Sequence, residues 1–236
     1  HSGTRFLPFN RGSSPDGTGG KGNYDPGDGS HPTSYLWRTI LQRDVFLDIL
    51  GRFVHVTETD ADGKPLAQPK LIFPRFHQWD AVTRLEADAR TNGAGHTYLV
   101  QHSAGSGKSN TIGWTAHRLA QLHDDADNRI FDKVVVITDR TILDSQLRAV
   151  VEQFERKSSK GTVVGADTSA ELADALTRKS VRIVVTTLQK FPFAKQLDVL
   201  EGLGSGAVAV LIDEAHSSQS GDAAKQMKET LSAGSL

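Results

Sequence analysis

A glycine-rich stretch near residue 105 contains the residue types of a phosphate-binding loop. It reads QHSAGSGKSNTIGW over residues 101–114. Gly105 and Gly107 would let backbone N–H groups close around phosphate oxygens, which a Cβ would obstruct. Lys108 can reach the β and γ phosphates, and the hydroxyl of Ser109 can bind Mg²⁺. These residues predict a site for a nucleoside triphosphate and its magnesium ion.

The start of this loop departs from the general pattern. That pattern is a glycine, four residues and then Gly-Lys-Ser/Thr, whereas His102 stands at the first position here. The rest of the loop matches, and the helix that follows would point its positive dipole end at the same anion. We predict that the nucleotide is bound by the following residues: Ala104, Gly105, Ser106, Gly107, Lys108, Ser109 and Asn110.

A second chemical signal lies at the end of the apolar run in AVAVLIDEAH, residues 207–216. Asp213 at the tip of such a strand can hold Mg²⁺, usually through water, and Glu214 can orient or deprotonate the attacking water. An Asp-Glu pair after a strand is common, but here it follows a phosphate loop with two strand–helix units between. We predict that the catalytic residues are Lys108, Asp213 and Glu214, and that the magnesium ligands are Ser109 and Asp213.

Alternating elements position these residues. Apolar, β-rich runs predict strands at 97–100, 134–138, 183–187 and 207–212. Helices are predicted near 109–123, 142–156 and 168–178, the last with a capping box from Thr168 to Glu171. Strands that alternate with helices indicate an α/β fold with a doubly wound, mostly parallel sheet and helices on both faces. Ligands of such sheets bind beyond the carboxyl ends of the strands.

The first third of the chain has a different organisation. Residues 11–33 are dense in Gly, Ser, Asp and Pro and predict a loop or linker. An amphipathic helix is then predicted over 34–53, a hairpin around Asp62-Gly63, and a second helix over 74–91. We interpret residues 1–70 as a lead-in and residues 71–236 as one nucleotide-binding domain.

Composition excludes several classes of protein. The formal net charge is −1, so the chain is not a small nucleic-acid clamp coated in positive charge. A local basic patch could still bind DNA. Disulfides are excluded because there is no cysteine. No apolar run has the length of a membrane span, and we expect no membrane association.

Other motifs indicate what the nucleotide drives. Asp-Glu-Ala-His at 213–216 is the DEAH form typical of superfamily 2 helicases and translocases. Gln78 is placed like the glutamine that reads adenine in that superfamily, although it could be an ordinary helix-surface residue. Nucleic-acid contacts of the superfamily follow two further strands, and here they correspond to Asp139, Arg140, Thr187 and Gln189. Arg140 could instead be a solvated charge at a helix start, and Thr187 and Gln189 could be helix caps.

The chain resembles the R (restriction, motor) subunit of type I restriction enzymes over nearly its whole length. The resemblance rests on segments in the family's order: FLPFNRG (6–12), TSYLWRTILQRDVFLDILGRF (33–53), FPRFHQ (73–78), HSAGSGKSNT (102–111), TDRTILDSQL (138–147), TTLQKF (186–191) and LIDEAHSSQSG (211–221). His102 is usual in this family. Ser217 departs from it, since the family commonly has arginine there, and residues 22–27 match a Gly-Asn-Pro signature only loosely.

This resemblance implies the first RecA-like domain of an ATP-dependent motor that pulls duplex DNA. It implies ATP and Mg²⁺ as cofactors, double-stranded DNA and the methyltransferase (M) and specificity (S) subunits as partners, and the cytoplasm of a prokaryotic cell. The family's PD-(D/E)xK nuclease lies upstream of residues like these. Its second RecA-like domain, which carries the arginines that complete the ATP site, lies downstream.

Three other functions fit part of the pattern. A DEAH-type helicase acting on RNA or in DNA repair would respond to a different nucleic acid. A P-loop kinase or metabolic ATPase would not need the DEAH motif, and a decayed scaffold would not need intact Lys108 and Asp213. A nuclease motif at residues 155–157 is rejected, because it would fall on a helix instead of the sheet edge where metal-binding carboxylates converge.

Overall fold

A parallel four-stranded sheet forms the centre of the structure, a computed structural model that describes residues 9–15, 22–59, 64–103, 105–138, 141–155, 161–190 and 207–213. The strands are β3 (Lys133–Thr138), β4 (Val163–Gly165), β5 (Ile183–Thr187) and β6 (Val208–Ile212), in the order β4-β5-β3-β6. Val134 lies beside Ile183 of β5 and Ala209 of β6. The predicted α/β fold with a parallel sheet is confirmed.

Helices cover both faces of this sheet. They are α3 (Lys108–Ala120), α4 (Thr141–Gln153) and α5 (Ser169–Thr177), each within three residues of its predicted bounds. The predicted capping box is present, since the Glu171 N–H donates to Thr168 Oγ1 at 3.1 Å. Because strand side chains alternate between faces, α3 and α4 pack on one set of strand residues and α5 on the other. The first core includes Ala116, Leu119, Val134 and Val136, and the second includes Val135, Leu172 and Leu176.

The strand predicted at residues 97–100 is wrong. The segment has no regular secondary structure, and the side chain of Leu99 is 84% exposed. Three apolar residues after Thr97 indicated burial by type alone, but a strand also needs a hydrogen-bonding neighbour. Within the described part of the chain, β6 pairs with β3 alone. The short strand β4, in contrast, was not predicted, because three residues give too little periodicity.

The lead-in contains a short helix and a hairpin. Helix α1 (Arg43–Asp48) is flanked by π-helical turns at Leu36–Ile40 and Ile49–Phe53. The hairpin pairs β1 (His55–Thr59) with β2 (Pro65–Ile72), which confirms its prediction, although its turn lies outside the described residues. The single helix predicted over 34–53 is therefore broken, and several of its apolar side chains are exposed instead of buried: Leu41, Leu47 and Leu50.

This lead-in packs against the helices that precede and follow the loop. Tyr35, Ile49 and Phe53 share a buried cluster with Trp79 of α2 (Phe76–Asn92) and with Trp114 of α3. The indole Nε1 of Trp114 donates to the carbonyl of Phe53 at 2.9 Å. The cluster supports the position of both helices, and the boundary at residue 70 stays a prediction.

A buried ion network joins the same three parts. Arg118 of α3 donates to Asp48 at 2.6 Å and to Glu86 of α2. Glu86 also pairs with Arg90 at 3.4 Å. Because Asp48 belongs to α1, one guanidinium holds the lead-in, α2 and α3 together. Among the described residues, no helix is long and apolar enough to cross a membrane.

Lys133 is a buried cation at the amino end of β3. Its Nζ donates to the carbonyls of Arg178 and Val181 at 2.7 and 2.8 Å. Burial, followed by the charge of Arg182, lowers the pKa of Lys133 from 10.5 to about 8. The surroundings of Lys133 in the folded chain therefore disfavour its protonated form.

We expect the stability of the chain to rise with pH through Lys133. Between pH 8 and 10.5 the unfolded lysine keeps its proton while the native lysine has lost it. The unfolded state then binds more protons, so the free energy of unfolding increases with pH. Urea unfolding of the wild type and Lys133→Met at several pH values measures this. Between pH 8 and 10.5 the free energy of unfolding of the wild type should increase relative to that of Lys133→Met. A difference between the two proteins that stays constant with pH would contradict the prediction.

Candidate nucleotide-binding site

The glycine-rich loop ends at the first residue of α3. Gly105 and Gly107 have φ angles of 72° and 86°, in the left-handed region that favours glycine. The N–H groups of Asn110 and Thr111 donate to the Gly107 carbonyl at 3.1 and 3.3 Å and begin the helix. The predicted glycines are therefore required by the backbone conformation.

The contacts of α3 show where its ends lie relative to the sheet. One Nη of Arg182 donates to the carbonyl of Phe131 at 2.8 Å and to that of Ala120 at 3.5 Å. Arg182 and Phe131 precede β5 and β3, so Ala120 marks the amino edge of the sheet. A helix of 13 residues is about 20 Å long, similar to a strand. Lys108 at its other end therefore lies toward the carboxyl edge.

Asp213 lies at that carboxyl edge. Its N–H donates to the carbonyl of Ile137 at 2.9 Å, which continues the β3–β6 register by one residue. Thr138 pairs with Thr187 of β5. The three residues Asp213, Thr138 and Thr187 therefore form one row across neighbouring strand ends. The amino terminus of α3 and the residue Asp213 thus lie toward the same edge of the sheet, the arrangement that metal-assisted phosphate chemistry needs.

The first turn of α2 holds the loop from behind. Arg75 Nη1 donates to the Gly105 carbonyl at 3.4 Å, and His77 Nε2 lies 3.1 Å from the Ser106 carbonyl. Gln78 Nε2 donates to the carbonyls of Ser106 and Gly107, at 3.3 and 2.9 Å. Trans peptide geometry then directs the next N–H groups, including that of Gly107, away from α2. We name residues 75–78 the loop clamp.

Gln78 is more deeply placed than its sequence suggested. It is 3% exposed, and its Oε1 accepts the Arg75 N–H at 2.8 Å. A Cβ added at Gly107 would lie 2.5 Å from Gln78 Nε2. The sequence motif predicted that Gln78 contacts adenine, but it did not predict that Gln78 contacts the glycine-rich loop. Both donors of its amide are used on loop carbonyls.

The loop and the first turn of α3 also contain buried polar groups that suit a phosphate ligand. Ser106 Oγ and Thr111 Oγ1 are buried without a hydrogen-bond partner in the described part of the chain. Buried hydroxyls normally have partners, and phosphate oxygens accept from such donors. Together with the left-handed glycines, these atoms fit a triphosphate.

Two histidines meet beside this loop. The rings of His77 and His102 lie edge to face, with centroids 5.0 Å apart and an interplanar angle of 88°. Burial, followed by the charges of His77 and Lys108, lowers the pKa of His102 below its ordinary value. Sequence reasoning treated His102 only as a replaced glycine. The position of His77 next to Gln78 was the available signal for this pair.

The remaining predicted site residues lie in different surroundings. Thr187 is 1% exposed and its Oγ1 has no partner among the described residues, whereas Gln189 is exposed. Glu155, the first residue of the rejected nuclease motif, accepts hydrogen bonds from Thr162 and from the N–H of Val163, the first residue of β4. The residues outside the described part are Ala104, Asp139, Arg140, Glu214 and Ser217.

Two comparisons show which known proteins this chain is similar to. The family model of SWI2/SNF2 ATPases matches residues 77–236. The type I restriction enzyme SauCOLORF180P endonuclease subunit of Staphylococcus aureus (strain COL) is 32% identical over 183 residues, 77% of this chain and 18% of that protein. The SsaAORF53P endonuclease subunit of Staphylococcus saprophyticus is 33% identical over 176 residues, 74% of this chain and 17% of that protein. The chain thus spans less than a fifth of these relatives' length.

Proposed function

Because this chain belongs to the SWI2/SNF2 ATPase family, we propose that it is the ATP-hydrolysing module of a type I restriction enzyme R subunit. We further propose that hydrolysis drives translocation along duplex DNA, within a complex that contains methyltransferase and specificity subunits. The observation that carries the proposal is the clamped glycine loop at the start of α3, directed to the sheet edge that holds Asp213. The relatives named above support the restriction role.

Each residue of the site has a role in this proposal. The loop N–H groups and Lys108 hold the triphosphate, and α3 directs its dipole at the same charge. Ser109 and Asp213 would hold Mg²⁺, which neutralises charge on the β and γ phosphates. Glu214 would orient or deprotonate the attacking water. The proposed DNA contacts follow β3 and β5: Asp139, Arg140, Thr187 and Gln189.

Gln78→Ala is expected to weaken ATP binding about two- to twelvefold, the value of one hydrogen bond of roughly 0.5–1.5 kcal/mol. If Gln78 also reads adenine, the preference for ATP over GTP should shrink, because a guanine leaves a site built for adenine with unpaired groups. Calorimetry with ATP and with GTP separates the two roles of Gln78. If Gln78 only holds the loop, the substitution lowers the affinities for ATP and GTP by the same factor. Gln121→Ala, at the far end of α3, is the control.

A wild type that binds ATP and GTP equally would contradict the adenine role of Gln78. The contacts to the loop would then be its whole contribution. In that case the variant would change the two affinities by the same factor.

The choice of nucleic acid tests the proposed function. We expect duplex DNA to stimulate ATP hydrolysis more than single-stranded DNA or RNA, in steady-state assays with each polymer at saturation. The readout is the ratio between the rates with duplex DNA and with the other polymers. The absolute rate is not used, because this chain spans less than a fifth of its relatives' length. Stronger stimulation by RNA or single strands would favour a DEAH-type helicase instead. Absence of ATP binding would contradict both functions.

A further inference from the structure

The loop clamp has a second face, which is turned away from the glycine-rich loop. Three of its four residues contact the loop, whereas Phe76 packs against the buried cluster of the lead-in. Phe76 and Gln78 are two residues apart on a helix of about 3.6 residues per turn, so their side chains leave it on nearly opposite sides. A displacement of the Phe76 ring therefore displaces the turn that holds the loop.

Aromatic rings and one cation of the lead-in surround the ring of Phe76. The rings of Phe9 and Tyr35 meet it edge to face, with centroids 5.5 and 5.3 Å away. The guanidinium carbon of Arg11 lies 5.8 Å from its centroid. The Tyr35 hydroxyl also donates to the Phe9 carbonyl, which joins the two rings that contact Phe76. Three side chains of the lead-in thus hold the first residue of α2.

Arg11 is the centre of this arrangement. Its guanidinium carbon also lies 5.1 and 5.3 Å from the ring centroids of Tyr24 and Tyr35, within the range of a cation–π interaction. Among the described residues no carboxylate pairs with Arg11, so rings take the place of the usual anionic partner. Its backbone N–H donates to Asn23 Oδ1 at 3.0 Å. The segment predicted as a loop or linker therefore contains a cation that ties it to α2.

We propose that Arg11 is a positioning residue of the nucleotide site, which keeps the loop clamp in place by holding Phe76. Loss of its guanidinium lets the first turn of α2 shift. The hydrogen bonds from Gln78 to the Ser106 and Gly107 carbonyls, at 3.3 and 2.9 Å, then lengthen and weaken. The loop N–H groups no longer converge on one phosphate. This inference rests on the proposed function, because it requires a nucleotide in the loop.

A double-mutant cycle tests this role, with calorimetry of a non-hydrolysable ATP analogue and Mg²⁺. Arg11→Met should weaken binding about two- to fivefold, the value of one partly exposed cation–π interaction. In the Gln78→Ala background the same change should have no further effect, because the contact through which Arg11 acts is already absent. The matched control is Arg38→Met, since Arg38 is exposed and pairs with Asp28 at 3.9 Å. It should bind as the wild type does.

The cycle also gives the results that would overturn the proposal. An equal loss from Arg11→Met in the wild-type and Gln78→Ala backgrounds would show that Arg11 acts by another route, and an unchanged affinity in Arg11→Met would show that it has no role. If circular dichroism shows that Arg11→Met does not fold, Tyr24 takes its place. Tyr24→Phe keeps the ring and should bind as the wild type does, whereas Tyr24→Leu should lose about twofold. Equal affinities of these two variants would overturn the proposal.

Hydrogen exchange gives a second readout, which a general loss of stability would not produce. Because coupling between two sites is reciprocal, the bound analogue should slow exchange of the N–H groups of Arg11 and Gly12, both hydrogen-bonded within the lead-in. At saturation this protection should be smaller in Gln78→Ala. Protection that is confined to residues 105–111 would contradict the proposed role of Arg11. A wild type that binds no nucleotide would instead refute the proposed function itself.

Discussion

Replacing Lys108 with alanine is expected to lower the affinity for ATP by about ten- to hundredfold. Lys108 is the first residue of α3, and its ammonium group can reach the β and γ phosphates. A charge-assisted hydrogen bond of this kind contributes roughly 1.5–3 kcal/mol, which gives the expected range. Hydrolysis should fall further than binding, because charge on the transferred phosphoryl group grows in the transition state.

Calorimetry with a non-hydrolysable ATP analogue measures the binding effect of this change. The control is Lys179→Ala, because Lys179 is exposed and lies between α5 and β5, at the opposite edge of the sheet from Asp213. The control should bind as the wild type does. An unchanged affinity in Lys108→Ala would refute the nucleotide site in this loop.

Arg118→Met is expected to destabilise the chain by about 3–5 kcal/mol. The side chain of Arg118 is 10% exposed and pairs with Asp48 and Glu86. Removal of one partner leaves the buried carboxylate of Glu86 without its main cation, and breaking a buried ion pair has this cost. The change also removes the ion pair between α1 and α3, since Asp48 loses the same guanidinium. Urea unfolding measures the loss.

Arg84→Met is the matched control for this experiment. Arg84 pairs with Asp80 one turn away on α2, and its side chain is 78% exposed. Such a surface pair contributes at most about 1 kcal/mol. Adding Glu86→Gln to Arg118→Met should recover part of the loss, because the unpaired carboxylate is removed. Equal losses in Arg118→Met and Arg84→Met would show that the buried network adds nothing to stability.

The sequence predicted the parts of the fold that depend on local pattern. The apolar runs at β3 and β5 are buried on both faces, so residue type alone located them, and the Thr168 capping box located the start of α5. Residues 97–100 are also mostly apolar, yet residue type does not reveal whether a neighbouring strand is present. The lead-in helix was predicted as continuous because the apolar spacing does not show that Tyr35, Ile49 and Phe53 pack on Trp79 and Trp114.

The site shows the same division between local and distant information. The spacing of Gly107, Lys108 and Ser109 located the loop, since glycine freedom and helix start are local properties. The loop clamp could not be predicted in this way, because it joins Gln78 to Gly107, which lies 29 positions further along the chain. The contact between the rings of His77 and His102 likewise forms only in the folded chain.

The three tryptophans of the chain give it built-in optical probes. Trp114 is buried against Phe53, with ring centroids 5.6 Å apart, so its emission should move to longer wavelength when the lead-in separates from α3. Trp79 directly follows Gln78, and its fluorescence should respond when the loop clamp shifts around a bound nucleotide. Trp37 is exposed and contributes a nearly constant signal. Substituting Trp37 by phenylalanine would therefore leave a spectrum that reports lead-in docking and loop occupancy without any added dye.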